Sequence, residues 1–464
     1  MKAEILMFLI IMIITYIPLV FVQKFSQRTV FYGVRIPIGF EKKEDLIKED
    51  KNYKRNLNIC FLITVLLSIL IMIKVSEDYW TLILVSSVFL FIFENSVCFY
   101  KANKRVKIIK KRENWEDLLT DENIVVVDIK AKSRNYEKLS KWYFAPPILL
   151  FLLVLFMALR NWKEVEIMGL ISFLFTIIVL FFSFLSISKS KQNLNGGNVK
   201  DIRVQNMKFR RVMSIFIIMI TYAIAILFTV TNLGNMNLIS TKNEFIITTT
   251  MIIFIIILGL ALSIYSYKVG QSGKNISIEK DEQDKDTLIV NREDDDNYIF
   301  GMIYYNPNDP AFFVEKRAGV GWTVNVARPM GKVAMVLTAL LIIGAIVMAV
   351  YASTSVKVDL QIREQVVTIK GMYSENIDRK DIVELSFEKS IPPIAVKQNG
   401  AAIGNKKVGY FRTKSGDRVK LFIEDDKNSA IKIVTREKIM YVNYDDENKT
   451  EELFSKLKNL QEKK

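Results

Sequence analysis

Histidine is absent from all 464 residues, and cysteine occurs only twice, at Cys60 and Cys98. Without histidine the chain lacks the side chain that most often works as a general base near neutral pH, and also the commonest transition-metal ligand. Two isolated thiols, each inside an apolar block, make neither a disulfide framework nor a zinc site. The apolar blocks also hold no Ser-Lys, paired-Asp or Cys-x-x-Cys arrangement. We therefore expect no enzyme, no cofactor and no bound metal.

What the chain has instead is apolar length. It is 51% hydrophobic with a mean hydropathy of +0.22, yet 24% charged, and the two kinds of residue are segregated rather than interleaved. A helix needs roughly 20 apolar residues to cross a hydrocarbon core of about 30 Å. Blocks of that order occur at about 4–23, 57–75, 79–100, 143–160, 165–187, 212–233, 245–268 and 332–352. Backbone polar groups in lipid have to be satisfied within the segment, so each block is expected to be a helix. Pro18, Pro146 and Pro147 lie inside spans or at their entry, where proline bends a helix or starts one. The first run, Ile5 to Val22, continues into Gln23-Lys24-Phe25-Ser26 with no small-x-small cleavage site, so it reads as a retained span and not as a signal peptide.

The net charge of +15 is placed as a membrane protein would place it. Lysine and arginine gather in the loops 24–56, 101–141, 188–211 and 269–332, and the turns between hold few. The positive-inside rule then puts these loops in the cytoplasm and both termini outside. Lys104-Arg105-Val-Lys107-Ile-Ile-Lys110-Lys111-Arg112 follows the third span directly. Such a cluster attracts anionic lipid, at about 1 kcal/mol per charge near the surface. No groove-reading or base-stacking pattern accompanies it, so nucleic acid is not an expected partner. The segment 189–208, with Asn195-Gly-Gly-Asn, reads as a polar linker, and 278–296 as a solvated acidic run ending in Asp294-Asp-Asp296. That triplet lacks the alternating ligand spacing of a calcium loop.

From about residue 353 the pattern changes to period-2 alternation, as in Gln365-Val-Val-Thr-Ile369, Ile382-Val-Glu-Leu-Ser-Phe387 and Val419-Lys-Leu-Phe-Ile423. Turn residues separate these runs, which indicates an antiparallel sheet. Leu453, Leu457 and Leu460 then return to helical spacing. The expected order is seven strands and one closing helix. In that order, and in Tyr441-Val-Asn-Tyr-Asp-Asp followed by Thr450-Glu-Glu-Leu-Phe-Ser-Lys-Leu, the region resembles bacterial pleckstrin-homology-like (PH-like) domains. The predicted fold class is thus an α-helical polytopic membrane protein with about eight transmembrane helices and a C-terminal β-rich, PH-like domain. Its expected regions are a seven-helix bundle at 1–270, a cytoplasmic element at 271–331, the last helix at 332–352 and an extracytoplasmic domain at 353–464.

Three places draw attention as candidate binding sites. The longest motif runs from Tyr304-Tyr-Asn-Pro-Asn-Asp-Pro310 to Gly319-Val-Gly-Trp-Thr-Val-Asn325 and Arg328. Asn306-Pro307 and Asp309-Pro310 form consecutive turns, and Gly319 and Gly321 permit tight backbone geometry before Trp322. Trp322 and Arg328 suit a headgroup layer next to the last span. With Asn325 these make an ordered interfacial element. It has no Lys-Ser/Thr after its glycines and so is not a phosphate loop. It resembles an uncharacterised domain of multi-pass membrane proteins of Gram-positive bacteria, with the signature Tyr-Tyr-Asn-Pro-x-Asp-Pro…Gly-x-Gly-Trp-Thr-x-Asn, for which no catalytic residues are known.

The second place is Phe31-Tyr-Gly-Val-Arg-Ile-Pro37. It is similar to the Phe-Gly-Ile-Arg-Thr-Pro motif of SdpI-type proteins, which confer immunity to a secreted toxin and relay its presence to a repressor. Gly33, Arg35 and Pro37 match that motif; Ile38-Gly39-Phe40 then departs from it. Arg35 is a candidate to bind a lipid phosphate or to pair with a carboxylate. The third place is Glu94, the acidic residue well inside a span, which an intramembrane cost marks as a candidate for ion or proton movement. Two readings follow. One is an immunity or signal-relay protein that answers a secreted peptide or a membrane or regulatory protein. The other is a transporter or exporter component that uses Glu94.

Overall fold

The computed structural model describes residues 2–76, 79–119, 139–160, 167–189, 197–236, 238–278, 289–290, 292–354, 359–362, 366–370 and 373–462. The middle of the basic loop 101–141, the Asn195-Gly196 stretch of the polar linker and the acidic stretch 279–288 lie outside them.

Every expected span is a helix. They are α1 (Lys2–Val20), α3 (Glu44–Lys74), α4 (Trp80–Arg112), α5 (Ala145–Arg160), α6 (Ile167–Lys189), α7 (Val199–Asn235), α8 (Thr241–Val269) and α9 (Pro329–Thr354), with a single turn, α2 (Val22–Phe25), after α1. Seven are long and apolar enough to cross a membrane; the apolar run of α1, Glu4–Val20, is shorter. Their outer faces carry exposed Leu66, Leu70, Phe93, Leu149, Phe175, Ile257, Leu260 and Leu341, a density of apolar surface that suits lipid and not water. Trp142, Tyr143, Tyr79 and Tyr351 stand exposed at helix ends, where amphipathic rings suit the interface. The chain is a membrane-embedded protein.

Several helices outrun the bilayer. At 1.5 Å per residue, the 31 residues of α3 span about 46 Å. The surplus is the basic sequence expected as loops: 44–56, 101–112 and 199–211 are helical extensions. Charge fits these ends. Glu44 and Asp45 open α3, and Lys110, Lys111 and Arg112 close α4, each opposite the helix dipole. The Asn198 side chain caps α7 and that of Ser240 caps α8. The extensions have buried faces as well: Leu46 and Tyr53 on α3, Asn103, Val106 and Lys110 on α4, Ile202, Gln205 and Phe209 on α7.

Successive helices reverse direction. One end of the bundle therefore gathers the chain after α2, the starts of α3, α7 and α9 and the ends of α4 and α8. Short hairpins fold there: β1 (Val30–Phe31) with β2 (Val34–Arg35), β5 (Tyr298–Ile299) with β6 (Ile303–Tyr304), and β7 (Phe313–Glu315) with β8 (Trp322–Val324); β3 (Gly197–Asn198) pairs with β4 (Ile289–Val290) across the α7–α8 segment. The β1–β2 loop is Tyr32-Gly33, both at positive φ (45° and 76°), as a two-residue hairpin turn requires.

At the end of α9 the chain enters a β-rich domain. It holds β9 (Asp359–Ile362), β10 (Val366–Lys370), β11 (Glu375–Asp378), β12 (Ile382–Glu388), β13 (Ile394–Ile403), β14 (Lys406–Thr413), β15 (Arg418–Ile423), β16 (Ala430–Thr435), β17 (Ile439–Asn443) and a closing helix, α10 (Glu447–Glu462). Among the described residues nine strands thus precede the helix where seven were expected. They form a three-stranded sheet, β11-β10-β9, and a six-stranded sheet, β12-β16-β17-β15-β14-β13. Leu453 and Leu457 pack α10 onto Val367, Ile369, Ile431 and Val442. The expectation of a wholly antiparallel sheet fails at one pair, because β17 inserts between β15 and β16 and runs parallel to β15. The fully buried Asn443 at the end of β17 makes this possible. Its oxygen accepts from Glu424 N (2.9 Å) and its amide donates to Asp425 O (2.7 Å), fastening the connection that passes over the inserted strand.

Candidate functional site

The hairpin end is organised around buried charge. Arg35, at the end of β2, is fully buried and donates through Nε to Asp294 Oδ1 (2.9 Å) and through Nη2 to Asp294 Oδ2 (3.0 Å), a two-pronged pairing. Its Nη1 reaches Arg28 O and Thr29 Oγ1, and its backbone N–H donates to Asp295 Oδ1 (2.8 Å). Arg317, in the β7–β8 loop and also fully buried, pairs with both Asp294 and Asp295, donates to Gly33 O (2.8 Å) and lies 4.1 Å over the Tyr298 ring. From α4, Lys110 reaches Asp295 (2.7 Å) and Glu293. Three carboxylates thus meet three cations supplied by three separate segments.

Charge balance decides the ionisation states. Burial alone would raise the Asp294 carboxyl, but Arg317 and Arg35 outweigh it and hold it well below the usual carboxylate range. Burial opposes ionisation of Asp295 too, and Arg317 and Lys110 again bring its carboxyl down. Glu293 moves the other way, pushed up by burial and by the neighbouring Asp295. A second buried pair flanks the cluster: Glu315 of β7 accepts from Arg210 of α7 (3.1 Å) and from Ser272, and burial pushes its carboxyl up. The oxygens of Glu293, Asp294 and Asp295 lie within 4.8 Å of one another. A metal ion there would have to displace Lys110, Arg35 and Arg317 from the same oxygens, so the donor set is already committed.

The expected site residues divide sharply. Gly33 and Arg35 enter the cluster. A Cβ on Gly33 would stand 2.4 Å from Gly301 O, so the tips of the β1–β2 and β5–β6 hairpins meet backbone to backbone. Pro37 is buried just beyond β2 and shapes the chain rather than touching the charges. Asn306, Asp309, Asn325 and Arg328 form a separate knot. Asn325, fully buried, accepts from Asn306 N (3.1 Å) and donates to Asn306 O and Asp309 O (2.8 and 3.1 Å). Tyr304 donates to Asp309 Oδ2 (2.8 Å), and Arg328 Nε donates to Asp309 O (2.9 Å). These groups are engaged with each other. Gly319 N donates to Ser26 Oγ, Gly321 exchanges two bonds with the Gln271 amide, and Trp322 packs against Phe209 of α7.

Glu94 lies elsewhere. It sits 16 residues before Lys110 on α4, about 24 Å along the axis, and accepts from Thr64 Oγ1 of α3 (2.8 Å). The acidic run ending at Asp296 was expected to be solvated. Asp296 is exposed, but Asp294 and Asp295 are drawn into the cluster, because two buried guanidiniums need partners there. Arg317, Lys110 and Glu315 carried no sequence signal beyond their charge.

Fold and site together define a membrane-embedded helical bundle with one end clamped by charge-paired hairpins. Residues 307–332 match the model of a family of unknown function (DUF5808). The matched stretch runs from the Asn-Pro/Asp-Pro turns through β7 and β8 into α9, and it contributes Glu315 and Arg317 to the buried pairs. No curated protein and no solved structure matches the chain.

Proposed function

We propose that the protein is a non-enzymatic membrane relay of the immunity or signalling kind. In this reading its β-rich domain, PH-like in placing a closing helix after its strands, lies outside the cell and meets an envelope-active peptide or toxin. The bundle then passes occupancy to the charge-paired hairpins on the cytoplasmic side, where the basic extensions face anionic lipid or a regulatory protein. One observation supports this most. Arg412 of β14, buried, donates to Gly234 O (2.6 Å) and to the Glu244 carboxylate (3.3 Å) at the start of α8. The far end of α8 leads straight into Gln271 and Ser272, which are bonded to Gly321 and Glu315. A single helix of 29 residues, about 43 Å long, therefore touches the β-rich domain at one end and the clamp at the other.

The test compares deletion, full-length and 353–464-truncated strains against a panel of secreted antimicrobial peptides, reading survival and transcripts. Selective sensitisation in the deletion strain, rescued by the full chain and not by a stably inserted truncation, supports the relay. Full response by the truncation overturns the sensing role. A transporter is the alternative: there, Glu94→Gln abolishes flux or resistance at unchanged protein level, whereas a neutral phenotype removes it.

A further inference from the structure

Beside the clamp lies a cleft in which the charges are not balanced. It is half open to solvent and has a cavity volume of about 20 Å³ between Arg28, Gln205 and the Gly270–Lys274 turn that ends α8. Its walls are rigidly tied. Gln205 donates to Ile276 O (2.8 Å), Gln271 exchanges bonds with Gly321, Ser272 bonds Glu315, and Gln27 donates to Glu315 O. The cations are not. Among the described residues Lys274 Nζ makes no hydrogen bond or ion pair, and Arg28 uses Nη2 alone, on Gln205 Oε1 (3.1 Å) and Lys274 O (2.6 Å). Neither has a carboxylate within ion-pair distance among those residues; Glu41 and Asp201 act on them only at longer range. Two uncompensated cations sharing a partly enclosed cleft repel each other and are poorly solvated. Burial, with Arg28 next, pushes the Lys274 ammonium down to about 8. An anion between them would relieve both costs, and a guanidinium edge beside an ammonium suits tetrahedral oxyanions.

We infer that the cleft between Arg28 and Lys274 is a binding site for a phosphate-bearing anion, either a phospholipid headgroup or a free phosphate. This goes beyond diffuse attraction of the basic extensions to lipid, because it names a bounded site with uncommitted donors. Its walls are also the residues that hold the β7–β8 hairpin, so occupancy bears on the segment that matches the family model.

The test uses the full-length protein. Inorganic phosphate is titrated calorimetrically into protein in a neutral detergent. In parallel, native mass spectrometry counts lipids retained from phosphatidylcholine nanodiscs containing phosphatidylglycerol. Lys274→Gln should weaken one of these interactions about tenfold or more, the loss of a charge-assisted contact, and Lys274→Arg should largely preserve it. Because Lys274 Nζ supports no other group and its charge is a cost in the empty cleft, neither variant should melt below the wild type, which separates loss of the site from loss of fold. Binding of inorganic phosphate assigns a soluble source, and selective retention of phosphatidylglycerol assigns the lipid. Binding of neither by the wild type, or equal binding by Lys274→Gln, overturns the proposal. Failure here leaves the relay reading standing, since that rests on residues 353–464 and on survival.

Discussion

Asp294 is the residue on which the clamp turns, because two fully buried guanidiniums share its carboxylate. Removing one partner of a buried pair costs about 3–5 kcal/mol, most of it the stranded opposite charge. Asp294→Ala is therefore expected to lower stability by that order, while Asp296→Ala, on the exposed neighbour, stays within about 0.5 kcal/mol. Thermal melts of the two variants in one detergent check the contrast. The same carboxyl gives a pH dependence. Its folded pKa is depressed below the ordinary value of 3.8, so its contribution is complete above that value and is lost as pH falls toward the folded pKa. Asp294→Asn should flatten this acid limb of the melting curve. Arg35 was legible from its motif as an ionic partner, and a carboxylate was one of two expected ligands. Asp294 was not legible, because a run of acids reads as solvated unless one knows which cations fold against it.

At the scale of elements, the hairpins show why close approach matters more than turn type alone. Gly33 and Gly39 both sit at positive φ (76° and 85°), but a Cβ at Gly33 meets Gly301 at 2.4 Å and one at Gly39 meets nothing within 4 Å. Gly39→Ala is expected to cost about 1 kcal/mol, the left-handed penalty by itself. Gly33→Ala must also push the two hairpin backbones apart. It should cost clearly more, and hydrogen exchange at both 30–35 and 298–304 should rise together. The spans were legible as helices because apolar length leaves the backbone no other solution in lipid. Their polar extensions were not, since Lys- and Glu-rich sequence serves equally for a loop or a solvated helix until buried faces such as Tyr53 and Phe209 find partners.

For the molecule as a whole, Arg412 ties the β-rich domain to the α7–α8 connection. Arg412→Ala leaves Glu244 buried without its cation and Gly234 O without its donor. Hydrogen exchange in 234–244 and in 394–413 should increase, with 28–36 unchanged if the two ends of α8 are energetically separate and raised if α8 conveys the change. The second outcome is the one the relay requires.

Apolar block length determined the membrane helices, and period-2 alternation determined a β-rich C-terminal domain; both are local patterns that need no partner to be read. Tertiary structure alone decided that β17 inserts beside β15, that Glu94 bonds Thr64 far from the clamp, and that residues 35, 110, 294 and 317 meet. Buried charge is specified only by its opposite, and here the opposites lie as far as 259 residues away in the chain, as Arg35 and Asp294 do.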